Sequence, residues 1–520
     1  MNSGETVQFE RTGTFYPDRD NTSTALVFSR SIRLRDTRPK VQSEGQSRET
    51  PAMHDEIGYA SATDLAKRIR AKQVSSAEVT QAILARIEAY EPRVNAFVMV
   101  DCERAMATAR AADAQVAQGG ELPPLLGVPV TIKDLYWTVD QPTRSGSHTA
   151  GVFQAPFDAP LVGRLKAAGA VVLGKTTTPE FGWKGVSESP LTGITHNPWR
   201  YGYNAGASSA GAAAAAAAGY GPLHQGGDGA GSIRMPAHFS GVFGLKTSYG
   251  RIAQHPVPTG DYSSGPGPIT RTVADAALML RIMAGPSFLD HTASEAAPKD
   301  YPAMLTTAMR GKRIAWSPDL GHARVDPEVA ALTQAAAARF AELGAIVEEA
   351  TPDWGTTGPD LIRFFWTAHL SSNIEKLTQW EAKMDPGLVA CAKEGARISI
   401  AEYQAARVRK HAYIAAIHRF MEGYDFLLTP AVSVAAFPAD RLQPAHWPQH
   451  PWDWIMWAEF SYPFNHAGNP ASSVPCGFTS DGLPVGLQIV GRRHDDLGVL
   501  QASAAFEAIA PWAQHRPKMG

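Results

Sequence analysis

Apolar residues recur along most of this chain with two periods, and the switching between them sketches its elements. Val79, Ile83, Ile87 and Tyr90 keep the spacing of one helical face. Ser75-Ser76-Ala77-Glu78 ahead of them is a capping box. There the serine and the glutamate satisfy each other's backbone N–H groups. Pro92 is expected to end that helix. The period then falls to two: Val128, Val130 and Ile132 alternate with Pro129, Thr131 and Lys133, which reads as a strand. Ala170 to Leu173, Arg313 to Trp316 and Ala345 to Val347 read as further strands. Ala212 to Ala218 reads as a helix of small side chains. Thr178-Pro179-Glu180 reads as a helix start with proline at the first position. Val329 to Leu343 reads as an Ala-rich helix within residues 286–425, a region mostly helical in pattern. Strands alternating with helices predict an α/β fold, a layered sheet covered by helices. Residues 1–52 lack any sustained period and are rich in Arg, Ser, Thr and Asp. They are expected to be a disordered N-terminal extension, with residues 53–520 forming a single domain.

Charge and composition narrow the partners. The net charge is −2 and the isoelectric point is near 6.8, which argues against nucleic acid or an anionic membrane surface as partner. No apolar run approaches the length of a bilayer span. Ala25-Leu26-Val27-Phe28 is too short for a signal-peptide core. The three cysteines, Cys102, Cys391 and Cys476, lie far apart and lack metal-ligand spacing. A reducing compartment or indifference to redox fits this usage, and a cytoplasmic location is expected. No metal and no cofactor are expected, because no ligand cluster with zinc-like spacing surrounds the candidate chemistry.

That chemistry is concentrated in two glycine-rich loops that carry serines, Gly206 to Gly211 and Gly226 to Ser232. Dense glycine lets backbone approach a ligand closely, and consecutive N–H groups form an anion-binding nest. A serine at the end of such a nest suits a nucleophile beside its own oxyanion hole. Two other readings compete. Gly169 to Thr176 matches the G-x-x-x-x-G-K-T pattern formally, but Ala170 to Leu173 reads as the strand itself, which removes the phosphate-cradling loop. His224 and His238 lie near Ser232 among sixteen histidines, but no G-x-S-x-G elbow surrounds either serine. Both histidines read as structural.

The two serine loops, Gly127-Val128-Pro129-Val130-Thr131-Ile132-Lys133-Asp134, Gly169 to Thr176 and Asn197-Pro198-Trp199 together resemble the amidase signature family. The likeness runs from about residue 55 to the C-terminus, including Phe464 to Pro470 and Gly482 to Gln488. It implies a large twisted mixed sheet covered by helices and a Ser–cis-Ser–Lys triad. By that likeness Ser232 is the nucleophile, Ser208, after a cis peptide bond, the proton relay, and Lys133 the base. Taken alone, Lys133 at a strand end would read as solvated. Backbone N–H groups of Gly229, Ala230, Gly231 and Ser232 are expected to hold the oxyanion. Ser209, Asp228 and Arg234 are expected to brace the loop. Ala207, Ala210 and Ala230 depart from the family's usual smaller or polar residues, which bears on loop geometry and pocket width rather than on reacting atoms.

The implied activity is amide hydrolysis through a seryl acyl-enzyme. Its partner would be a small-molecule amide, with a homodimer compatible. Carbamate or ester hydrolysis, or service within a partner-dependent amidotransferase, are the alternatives. Trp137, Phe181 and Trp183 near the motifs are expected to line an apolar pocket for aryl or alkyl amides; Trp454, in a tryptophan-dense segment, is open to two readings, ordinary packing or the lining of the substrate entrance.

Overall fold

A computed structural model describes residues 51–259 and 263–519, together with three short strands nearer the N-terminus. Those strands, Val7–Phe9, Gly13–Pro17 and Phe28–Arg30, pair antiparallel within a separate unit, Met1–Glu49. The rest of the segment expected to be disordered lies outside the described residues, except for the start of the helix Pro51–Tyr59.

The main unit is built on an eleven-stranded sheet. From edge to edge it runs Ile346–Glu349, Arg313–Trp316, Phe426–Pro430, Pro484–Gly491, Ala471–Phe478, Phe243–Lys246, Gly265–Thr270, Leu223–Asp228, Pro129–Lys133, Val171–Thr176 and Phe97–Val100. The sheet is mixed. Pro129–Lys133 runs parallel to both its neighbours, whereas Gly265–Thr270 runs antiparallel to Leu223–Asp228. Parallel neighbours need a crossover, and the helix Pro160–Ala167 supplies one between Pro129–Lys133 and Val171–Thr176. Because Leu223–Asp228 and Pro129–Lys133 are parallel, Asp228 and Lys133 both terminate their strands at the same edge of the sheet. In open α/β sheets that carboxyl edge is where ligands bind.

The capping box at Ser75 and Glu78 is present, and its helix spans Ser76–Val94. It passes Pro92 by two residues before Asn95 closes it in the left-handed region. The Ala-rich stretch forms the helix Ala210–Ala218, every residue of which is buried. Small side chains are required there: a Cβ on Gly211 would strike the Ala96 carbonyl and the Thr177 backbone nitrogen. The expected helix start at Thr178 is instead a single 3-10 turn, Glu180–Gly182, with Pro179 at its N-cap. Tertiary bonds hold it in that form. Buried Glu180 accepts from the Ser147 hydroxyl at 2.6 Å and from the Asp385 N–H at 2.7 Å, and Phe181 adopts φ 51°.

Candidate active site

Three elements converge at the carboxyl edge. The strand Pro129–Lys133 ends on Lys133, the loop before Ala210–Ala218 carries Ser208 and Ser209, and the loop after Leu223–Asp228 carries Ser232. Lys133, Ser208 and Ser232 border one cavity. Each is almost wholly buried, at 1%, 3% and 3% exposure. Lys133 Nζ lies 2.8 Å from Ser208 Oγ, 3.0 Å from Ser209 Oγ and 3.3 Å from the Gly227 carbonyl. The Ala207–Ser208 peptide bond is cis. The two serine loops are tied together directly, since Ser209 N–H donates to the Ser232 carbonyl at 3.1 Å. Ser209 also locks onto Gly227: its hydroxyl donates to the Gly227 carbonyl and accepts from the Gly227 N–H, both at 3.1 Å.

Burial decides the protonation of the lysine. Removing an ammonium from water disfavours its charged form. This pulls the Lys133 pKa from 10.5 to about 7, against the opposing pull of the Asp228 carboxylate. Lys175, on the neighbouring strand, is equally buried but differently placed. Its Nζ donates to the Tyr136 carbonyl at 2.7 Å and to Thr143 Oγ1 at 2.9 Å, and it stands 3.8 Å from Asp134. It braces a turn and does not reach the cavity, and its strand, Val171–Thr176, takes in the glycine and lysine of the P-loop-like pattern.

Asp228 and Arg234 clamp the Ser232 loop. The Asp228 carboxylate accepts from Gly231 N–H at 2.6 Å, Ile233 N–H at 3.1 Å and both arms of the Arg234 guanidinium at 2.9 and 3.0 Å. Burial would push its pKa up. The Arg234 charge and hydrogen bonds, with Lys246 and Asn465, instead hold it well below the usual carboxylate range. Arg234 Nη1 also donates to the Ser461 carbonyl at 2.9 Å and to Gln488 Oε1 at 2.8 Å. Removing one partner of a fully buried ion pair leaves an uncompensated charge, which costs roughly 3–5 kcal/mol. Arg234→Met is therefore expected to lower the melting temperature by a few degrees, the shift that cost gives in a unit of this size. Thermal unfolding followed by circular dichroism checks this, and an unchanged midpoint would contradict it.

The clamp also corrects the expected oxyanion donors. Gly231 N–H is taken by Asp228, so it is not available to a ligand. Gly229 and Ser232 border the cavity, and the N–H groups of Gly229, Ala230 and Ser232 have no acceptor among the described residues. Gly231 serves the turn instead. It sits at φ 117°, and a Cβ there would come within 2.6 Å of Ser461 Oγ.

The aromatic expectations divide. Phe181 borders the cavity, with Lys376 Nζ 3.9 Å from its ring centre. Trp137, Trp183 and Trp454 do not border it. Trp137 packs outside, 5.0 Å from the His255 ring and 5.2 Å from Phe153. Trp183 and Trp454 stand behind Trp366, a wall residue. The Trp183 carbonyl accepts from the indole N–H of Trp366 at 3.0 Å and of Trp454 at 2.9 Å. The rings of Trp366 and Trp454 meet edge to face at 5.5 Å. The wall itself is one stripe of the helix Thr357–Leu370, namely Ile362, Phe365, Trp366 and His369. That i, i+3, i+4, i+7 spacing is visible in the sequence, but such a stripe ordinarily packs into a core.

Neither rival histidine reaches the serines. His224 bonds to Thr131 Oγ1 at 2.9 Å and to the Gly221 carbonyl at 3.1 Å, and burial lowers its pKa to about 3. His238 Nδ1 accepts from Gly486 N–H at 2.9 Å, so its Nε2–H donates to the Val434 carbonyl at 3.0 Å. Both rings are neutral and committed to backbone.

Known proteins resemble this chain over most of its length. Residues 78–500 match the model of the family described as amidase. An acylamidase of Rhodococcus erythropolis is 41% identical over 470 residues, covering 89% of this chain and 98% of that protein. A glutamyl-tRNA(Gln) amidotransferase subunit of Moorella thermoacetica is 35% identical over 492 residues, covering 89% and 99%. The crystal structure of a bacterial aryl acylamidase, an amidase signature enzyme, superposes with a TM-score of 0.82 at 29% identity, over 88% of this chain and 98% of that one.

Proposed function

This chain belongs to the amidase signature family and is an amidase, and we propose that it cleaves apolar aryl or alkyl amides through a seryl acyl-enzyme on Ser232. The observation that carries the mechanism is the buried Lys133 amine 2.8 Å from Ser208 Oγ, in the cavity that Ser232 borders. A neutral amine has two N–H donors and one lone pair. Its N–H groups suit Ser209 Oγ and the Gly227 carbonyl, which leaves the lone pair for the Ser208 hydroxyl. Ser208 then accepts the proton of Ser232 while passing its own to Lys133.

The Ser232 oxygen forms a bond to the amide carbon, whose oxygen becomes the oxyanion. Free N–H groups of Gly229, Ala230 and Ser232 stabilise that charge; one such donor is typically worth about 3–4 kcal/mol. The carbon–nitrogen bond breaks as the proton returns along the same relay to the leaving amine. Water, deprotonated by the relay, then cleaves the ester and regenerates Ser232. Asp228 and Arg234 hold the loop and take no part in the proton transfers.

Phe181, Ile362, Phe365 and Trp366 support the apolar substrate class, since they put aromatic and aliphatic surface on the cavity wall. The higher identity to an acylamidase than to an amidotransferase component favours amide hydrolysis over service in an amidotransferase. Among the described residues no helix is long and apolar enough to cross a membrane.

The test is a panel of amides, carbamates and esters given to the purified chain. Aryl amides are expected to be turned over, and Trp366→Ala is expected to lower kcat/KM for them about tenfold to a hundredfold more than for acetamide. Trp454→Ala, one layer back, should affect both substrates alike. Turnover of carbamates or esters with none of any amide would refute the reading.

A further inference from the structure

Both ring nitrogens of His466 are buried without a hydrogen-bond partner among the described residues, and the residue is 7% exposed. A neutral imidazole offers one donor and one acceptor. Burial, with the nearby Lys410 charge, holds its pKa well below the ordinary value, so the ring is neutral. Leaving such groups desolvated and unpaired destabilises the fold. A native fold that carries this cost calls for a partner.

His466 borders the cavity that Ser208 and Ser232 border. Its ring also meets those of Phe365 at 6.0 Å and Tyr462 at 6.2 Å, and the Lys410 charge lies nearby. Its position relative to the nucleophile loop is set by the Asp228–Arg234 clamp. The helical turn Tyr462–His466 is tied to that loop at the Ser461 carbonyl, which Arg234 contacts, and at Asn465. The Asn465 amide N–H donates to the Asp228 carbonyl and to Asp228 Oδ1, both at 3.0 Å. His466 is the next residue, so the ring is placed by the same bonds that place Ser232.

We propose that His466 is a specificity residue: it hydrogen-bonds a hydroxyl or amide group carried by the substrate away from the bond that is cut. This rests on the reading that the cavity holds the amide attacked by Ser232. The apolar wall cannot make the same selection. A hydrophobic pocket scarcely distinguishes a ligand by an added hydroxyl, whereas a buried hydrogen-bonding group strongly disfavours the ligand that leaves it unpaired. The competing role is packing, because His466 also borders a second recess that includes His418 and Arg493.

Two probe pairs distinguish these roles on the full chain: acetanilide against 4-hydroxyacetanilide on the amine side, and benzamide against 4-hydroxybenzamide on the acyl side. The wild type is expected to favour the hydroxylated member of at least one pair by about tenfold or more in kcat/KM. His466→Phe should bring that ratio near unity by slowing the hydroxylated member, and leave the plain one within about twofold. His466→Asn keeps a donor and an acceptor and should retain part of the preference; if the Phe variant does not fold, His466→Leu against His466→Asn makes the same comparison. Ratios equal in wild type and the apolar variant, or both members falling by one factor, would overturn the assignment. Failure of the wild type to turn over any of the four amides, with carbamates or esters cleaved, would instead overturn the amide reading beneath it.

Discussion

Ser232→Ala is expected to remove amide turnover, with a fall in kcat on the order of a millionfold, as when a serine hydrolase loses its nucleophile. The substitution deletes one oxygen from a residue that is 3% exposed, so little packing is lost. The loop remains held through backbone atoms: Gly231 and Ile233 still donate to Asp228, and Ser209 N–H still donates to the carbonyl of residue 232. The variant should keep the wild-type melting temperature and bind substrate without forming an acyl-enzyme. Mass spectrometry of acid-quenched mixtures checks this, with an acyl adduct on Ser232 in the wild type and none in the variant. Near wild-type hydrolysis by a folded variant would refute the nucleophile.

Lys133→Met should lower kcat/KM by roughly 10²–10⁴-fold, the range of a general base, and yet make the protein more stable at neutral pH. The gain in stability follows from the pKa. Lys133 sits at about 7 in the fold against an ordinary 10.5. Between those values the unfolded chain binds more protons, so stability rises with pH across that window. At and below pH 7 the full cost of burying the amine is present. Methionine fills a similar volume without that cost, so the melting temperature at pH 7 should rise. In the wild type, acylation should increase as pH rises through about 7, because only the neutral amine accepts a proton. A flat profile across that range, or a Met variant both active and less stable, would contradict the assignment.

Local signals foretold much of the scaffold. The capping box at Ser75, the alternation at Val128 to Lys133 and the Ala-rich run after Ser209 each depend on neighbours in sequence, and each appears where its pattern places it. Other expectations were only partly met, for physical reasons. Pro179 did not open an α-helix, because Ser147 and Asp385, distant in sequence, bond Glu180 and hold a single turn. Gly231 did not offer its N–H to the cavity, because Asp228 takes it. Trp183, close in sequence to the motifs, and Trp454, in the tryptophan-dense segment, stand behind Trp366.

The residue patterns of this chain were enough to indicate its alternating strands and helices, its two serine loops and the family to which they point. Those features follow from backbone period, capping and glycine placement, which act over a few residues. Which buried lysine lies beside a serine, Lys133 rather than Lys175, and which tryptophan faces the cavity depended on how distant segments pack. The same holds for the unpaired ring of His466. A side chain's direction, its desolvation and therefore its proton affinity are set by all the atoms around it. In this fold most of those atoms come from elements far away in the chain.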